Sequence, residues 1–149
     1  MPNSWTQNLY HAVFSTKHRV PSIGPEVESR LYPYIGVILK DLRCTPIAIN
    51  GSADHVHFLA IYPSELSHAD MLRHVKMRSS ERIHKTMGTM LDFAWQEGYG
   101  GFTVSTSVMD KVAHYIRRQK EHHSKVDSLA EFKELLRKHG IEFDPKYLV

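Results

Sequence analysis

Two histidines separated by one aliphatic residue, His55-Val56-His57, lie inside the apolar stretch Asp54-His55-Val56-His57-Phe58-Leu59-Ala60. Side chains of a β-strand alternate between its faces. As a strand, this stretch turns His55 and His57 to one face, one pleat apart, and commits Val56, Phe58 and Ala60 to a core on the other. Two imidazoles on one rigid face can hold a divalent metal. A second group lies in His114-Tyr115-Ile116-Arg117-Arg118-Gln119-Lys120-Glu121-His122-His123. On a helix Tyr115 and Gln119 are i and i+4, so they stand one above the other, and Val108, Val112 and Ile116 lie close to that face and turn it inward.

Two neutral imidazoles and one neutral amide oxygen would leave a bound dication its whole charge. Such a centre suits polarising a phosphate oxygen, with positions left open for substrate, better than it suits a closed structural site. A tyrosine one helical turn from a ligand is then an attacking group. Phenol has a pKa of roughly 10, so it needs a metal or cation nearby to favour the phenolate. Lys111, Arg117, Arg118 and Lys120 supply positive potential on the same segment. Each group also has a plain structural reading. His55 and His57 can be a surface feature or a hydrogen-bonded core pair, and Tyr115 can be an amphipathic core residue with Gln119 at its edge.

The elements that must position these residues follow from periodicity and turn signals. A first strand is expected over 7–14, followed by a loop between Pro21 and Pro25. A helix is expected over 25–43, with Pro25 in its first turn and an apolar stripe of Val27, Leu31, Tyr34, Ile35, Ile38, Leu39 and Leu42. Pro33 falls inside this helix and is expected to kink or split it. A strand over 45–50 leads through Asn50-Gly51 and a loop at 51–54 into the His-Val-His strand, an antiparallel hairpin. A long helix over 67–87 takes Ser67 as N-cap with Asp70 at N3; Arg78, Arg82 and Lys85 share one of its faces. A strand pair is expected at 93–96 and 102–105, around Glu97-Gly98-Tyr99-Gly100-Gly101. A helix over 108–122, a short link at 124–127 and a last helix over 129–139, ended by Gly140, complete the chain. The order β-α-β-β-α-β-β-α-α predicts one α+β domain over 1–149, with an antiparallel, ferredoxin-like or RRM-like sheet and helices packed mainly on one face.

Composition limits the remaining choices. The chain has 149 residues, 42% apolar and 23% charged, an ordinary globular balance for a single domain. Its one cysteine, Cys44, excludes an internal disulfide and fits a reducing compartment. No apolar run approaches the roughly 20 residues that span a bilayer. The opening Met-Pro-Asn-Ser-Trp-Thr-Gln lacks the charged and apolar regions of a signal peptide, so a cytoplasmic location is expected. The net charge of +3 does not by itself mark a nucleic-acid binder. One cysteine beside a glutamine is a poor ligand set for structural zinc.

The His-hydrophobe-His strand with a later Tyr-x-x-x-Gln helix resembles the HUH endonuclease superfamily. The chain is more closely similar to the small single-tyrosine transposases of the simplest bacterial insertion sequences, whose relatives are associated with repetitive extragenic palindromes. The similarity runs over nearly the whole chain. It includes His11-Ala12-Val13-Phe14-Ser15-Thr16-Lys17-His18-Arg19, the 51–58 hairpin, Trp95-Gln96-Glu97-Gly98-Tyr99-Gly100, and Tyr115-Ile116-Arg117-Arg118-Gln119 followed by His122-His123. The resemblance implies that His55 and His57 bind a divalent metal, Mg2+ or Mn2+, with Gln119 as third ligand, and that Tyr115 is the nucleophile. It implies a homodimer acting on single-stranded DNA with hairpins, in which the tyrosine helix can complete the partner's site. It leaves open the roles of Asp54, His122 and His123.

For holding DNA, Lys17, Arg19, Arg78, Arg82, Lys85, Arg117 and Arg118 are backbone candidates, and Trp95, Tyr99 and Phe102 are stacking candidates; solvated-face and core roles are the alternatives. Two other functions compete with transposition: a non-catalytic, domesticated hairpin-DNA-binding protein, and a metal-dependent nuclease that uses water.

Overall fold

The computed structural model describes residues 4–123 and 125–148. Residues 1–3, Ser124 in the predicted link and Val149 lie outside this description. Alternation of side chains builds the central pair of strands. β1 (Asn8–Ser15) lies antiparallel to β3 (His55–Tyr62), with Val13 opposite His57 and Ser15 opposite His55. β2 (Thr45–Gly51) pairs with the outer edge of β3, and β4 (Gly100–Thr103) pairs with β1, giving the spatial order β2-β3-β1-β4. The hairpin forms as expected. Gly51 is required there because a Cβ would meet the His55 carbonyl oxygen at 2.1 Å. β2 tolerates Pro46 as an edge strand with a register shift between Pro46 and Ala48.

Two long helices, α1 (Pro25–Asp41) and α2 (His68–Thr86), cover the face that carries Val56, Phe58 and Ala60. Ile35, Ile38, Leu39, Met71, Leu72 and Val75 fill this layer. Ser67 caps α2 by accepting the Asp70 N–H at 3.0 Å. Three shorter helices lie over the histidine face: α3 (Met109–Arg117), α4 (Gln119–His122) and α5 (Ser128–Lys138). The α+β class and the ferredoxin-like strand order hold. The long helices do share one face, but the opposite face is also covered, because Leu9, Leu59, Val13 and Phe102 present a second apolar layer there. No helix among the described residues is long and apolar enough to cross a membrane.

Three expectations are corrected. Pro33 does not split α1: it lies on an exposed side of the helix together with Ser29, whose carbonyl loses its helical partner. Residues 93–96 do not pair with a strand at 102–105. Trp95 makes only an isolated bridge to Thr16, and β4 turns to β1 instead. The Trp95 ring packs edge-on to Phe14 and Phe93, and its Nε1–H donates to Ser79 Oγ at 2.9 Å. Gln96 Oε1 accepts the Ser15 N–H. β4 approaches β1 closely enough that a Cβ on Gly101 would lie 1.5 Å from the Tyr10 hydroxyl oxygen. The 108–122 helix is interrupted at Arg118 (φ −99, ψ 19), after which α4 resumes with Gln119 fully buried.

Candidate active site

β3 places His55 and His57 side by side on the face beneath α3, α4 and α5. Both are buried, at 2% and 0% exposure. Each has its Nδ1 engaged. His55 Nδ1 lies 2.9 Å from Asp54 Oδ1 and 2.8 Å from Ser52 Oγ. His57 Nδ1 lies 2.8 Å from Nε2 of His11, its neighbour on β1. The Nε2 atoms are thereby turned inward, as in imidazoles whose outer nitrogen is held by a carboxylate or another polar partner.

α3 docks on β2 and β3 of its own chain through Ala113 and Ile116, which pack on Leu9, Ala48 and Leu59. This sets the Tyr115 ring 5.9 Å from that of His57. Past the break at Arg118, Gln119 Oε1 lies 3.2 Å from His55 Nε2. The four residues singled out from spacing, His55, His57, Tyr115 and Gln119, thus meet in one place.

The residue at their centre was not anticipated. Glu131 of α5 is 4% exposed. Its Oε1 lies 2.8 Å from His57 Nε2, 3.1 Å from His123 Nε2 and 3.4 Å from His55 Nε2. Its Oε2 accepts the Tyr115 hydroxyl and the Gln119 amide, the latter at 3.1 Å, and lies 3.3 Å from His122 Nε2. His55, His57, His123 and Glu131 offer ligand atoms all within 4.8 Å of one another, a group able to hold a metal ion. One signal was available in the sequence. Glu131 stands on the stripe with Ser128, Phe132, Leu135 and Leu136, where an unpaired acid would be costly.

The charges are strongly coupled. Burial alone would lower the His55 pKa, but hydrogen bonds to Asp54 and Glu131 outweigh it and raise it to about 9. Burial dominates at His57, whose pKa falls to about 4 despite Glu131, and also at His11, which is pushed well below the ordinary value. Burial would raise the Glu131 carboxyl, but hydrogen bonds from His123, His55 and His57 hold it far below the carboxylate range. Burial and the adjacent Glu131 charge raise the Tyr115 phenol.

The basic residues separate into groups. Arg78 pairs with Asp41 at 2.8 Å and Arg82 lies over the Tyr34 ring, both against α1, and Lys85 is on the same helix. α2 covers the sheet face opposite the histidines, so the structure does not bring these three to the site. Arg19 turns inward, donating to Ser128 Oγ at 2.9 Å. Lys17 is exposed on the short turn Lys17–Arg19. Arg117 and Arg118 close α3 beside Tyr115. Lys111, His114, Tyr115, Arg118, Glu121, His122 and Lys125 line an open depression of about 400 Å³. Among the aromatic candidates, Trp95 and Phe102 are core residues and Tyr99 is exposed.

The sequence profile of the family described as "Transposase IS200 like" matches residues 4–119. No curated protein sequence matches the chain. A candidate transposase from Deinococcus radiodurans R1 is similar in structure, with TM-score 0.66 and 21% identity over 78% of this chain and 94% of the other. A REP-associated tyrosine transposase bound to a REP hairpin gives TM-score 0.63 and 13% identity over 83% of this chain and 73% of the other. The match to the family ends at Gln119, so His122, His123 and all of α5 lie beyond it.

Proposed function

The chain belongs to the IS200-like transposase family, and from that premise we propose that it breaks and rejoins single-stranded DNA through a covalent bond to Tyr115. One observation carries the reading. Tyr115 lines the basic depression that is open to solvent, while its hydroxyl reaches the buried group around His55 and His57. The residues fit a divalent cation, because inward-facing imidazole nitrogens converge with Gln119 Oε1 and a carboxylate. Mg2+ or Mn2+ held by His55, His57 and Gln119 would draw charge from a non-bridging oxygen of the scissile phosphate.

Tyr115 gives up its hydroxyl proton and attacks phosphorus, the bond to the 3′ oxygen breaks, that oxygen takes up a proton, and a 5′-phosphotyrosine link and a free 3′-OH result. One phosphodiester replaces another, so a 3′-OH from a second strand can reverse the step without a nucleotide cofactor. Lys111 and Arg118 in the depression, with Arg117 beside it, meet the DNA backbone. The substrate is single-stranded DNA bearing hairpins, a reading supported by the REP-associated relative, which is bound to a REP hairpin. The working unit is a homodimer, each subunit carrying its own histidines and tyrosine.

Incubation with hairpin-flanked single-stranded DNA and Mn2+ or Mg2+ should give a covalent adduct on a denaturing gel, and Tyr115→Phe should give none. An adduct with Tyr115→Phe, or none with the wild type on cognate DNA, overturns the reading. A second reading, a non-catalytic hairpin binder, is favoured by burial and the Glu131 contact, which raise the Tyr115 phenol. It expects equal DNA affinity in the wild type and Tyr115→Phe, and no adduct from either. Cleavage products free of protein would mark a water-using nuclease instead.

A further inference from the structure

We propose that the metal centre is a three-histidine, one-carboxylate site, in which His123 and Glu131 bind the ion together with His55 and His57, and that it takes a first-row transition ion such as Mn2+, Co2+ or Zn2+ in preference to Mg2+. The inference deepens the reading of His55 and His57 as metal ligands and rests on it. His123 and Glu131 both lie beyond the residues matched by the family.

Three imidazole Nε2 atoms surround a single oxygen, Glu131 Oε1, at 2.8, 3.1 and 3.4 Å. The other oxygen already faces Tyr115, Gln119 and His122. A carboxylate offers about four lone-pair sites, so six polar neighbours exceed what it can accept as hydrogen bonds. The excess lies on the Oε1 side, where three ring nitrogens compete for one atom. Inward-facing nitrogen lone pairs have a different natural partner, a cation set among them.

Two further features agree. The Nδ1 atoms of His55 and His57 are held by Asp54 and His11. This is the outer arrangement that fixes the tautomer of a ligating histidine and leaves Nε2 free to bind. The four donor atoms lie within 4.8 Å of one another. Donors this close can share one ion at about 2.0–2.1 Å, and an ion that expands beyond four ligands keeps a position for Gln119 or the phosphate.

The donor set also selects the ion. Imidazole suits Zn2+, Co2+ and Mn2+, whereas Mg2+ keeps oxygen ligands and several waters. Three nitrogens with Glu131 as the one carboxylate therefore favour such an ion over Mg2+.

Untagged protein stripped with EDTA is titrated calorimetrically with Zn2+ and Mg2+, and with Co2+ by visible absorption. The wild type should bind one Zn2+ at the site at least roughly 100-fold more tightly than Mg2+. Glu131→Gln and His123→Gln should each weaken Zn2+ by roughly tenfold or more and change the Co2+ spectrum. His57→Gln should abolish binding at the site. If His57→Gln abolishes binding while Glu131→Gln and His123→Gln match the wild type, the four-ligand centre is wrong and the metal role of the strand histidines stands. The same conclusion follows if Mg2+ binds as tightly as Zn2+. If His57→Gln binds like the wild type, or the wild type binds none of the three ions, the metal reading itself falls. Should Glu131→Gln fail to fold by circular dichroism, His123→Gln, at the rim of the site, decides the question.

Discussion

His55 gives the metal-free protein a stability that depends on pH with a defined sign. Its pKa is raised from an ordinary 6.5 to about 9 by Asp54 and Glu131, against the opposing effect of burial. A group raised on folding contributes stability that is fully present below its unfolded pKa and is lost as pH climbs through its folded pKa. The metal-free protein should therefore weaken between pH 6.5 and about 9. At 1.36 kcal/mol per pKa unit, the full effect is about 3 kcal/mol. It is counted once, because the same hydrogen bonds depress Asp54 and Glu131. His55 is 2% exposed, so bulk solvent screens it little. For a chain of this size 1 kcal/mol moves the melting midpoint by roughly 2–4 °C, so a fall of about 10 °C is expected.

The quantity to read is the wild-type midpoint minus that of His55→Gln, in EDTA, across the pH range. His57 acts in the opposite direction. Its pKa is lowered to about 4 by burial, so its contribution is present above 6.5 and is lost as pH falls towards 4. Together the two histidines place the stability maximum of the metal-free protein near pH 6.5. Saturating Zn2+ should abolish or reverse the decline above 6.5, because the metal competes with the His55 proton and binds better as pH rises. A difference curve that stays flat from 6.5 to 9 would refute the account of His55.

Four further outcomes are expected. Ile116→Ala empties a site of 0% exposure between α3 and the sheet; it should cost about 2–5 kcal/mol in urea unfolding. Gly101→Ala forces a methyl against the Tyr10 hydroxyl, which cannot swing away because the Tyr10 ring stacks on His68 at 3.9 Å; a loss of about 1–3 kcal/mol in thermal melts is expected. His11→Ala removes the partner of His57 Nδ1 and should weaken Zn2+ binding by roughly 10–100-fold in calorimetry, with partial recovery in His11→Asn. In fluorescence-polarisation titrations, Arg117→Ala and Arg118→Ala should each lower the salt slope of DNA binding by about 1, whereas Arg78→Ala with Arg82→Ala should leave affinity nearly unchanged.

Much of the sheet was legible because its information is local. The alternation in His55-Val56-His57-Phe58 fixes which face each residue takes, and the Asn50-Gly51 turn fixes its partner strand. The Ser67 cap and the stripe of α1 are likewise written within a few residues of one another. Where expectation failed, a distant contact decided. Residues 93–96 have strand-forming composition, yet Trp95 gains more by packing on Phe14 and donating to Ser79 than by joining a hairpin. Arg78, Arg82 and Lys85 have the spacing of a phosphate-binding face, but spacing does not say which side of the sheet a helix will cover.

The site shows the same division. His55 and His57, or Tyr115 and Gln119, are each within one strand or one helical turn, so their proximity follows from geometry that the sequence carries. Glu131 reaches them only because α5 folds back across the sheet, with Asp127 as its N-cap, Ser128 bonded to both Asp54 and Arg19, and Phe132 and Leu136 against Val13 and Phe102. Apart from the Asp127 cap, none of those contacts joins neighbours in sequence. Yet the carboxylate they deliver touches every residue that spacing had picked out, so a description limited to those four would have left its central charge unexplained. An acid on an otherwise apolar stripe is the one local sign that such a docking exists, because a buried carboxylate is tolerable only where donors or a cation await it.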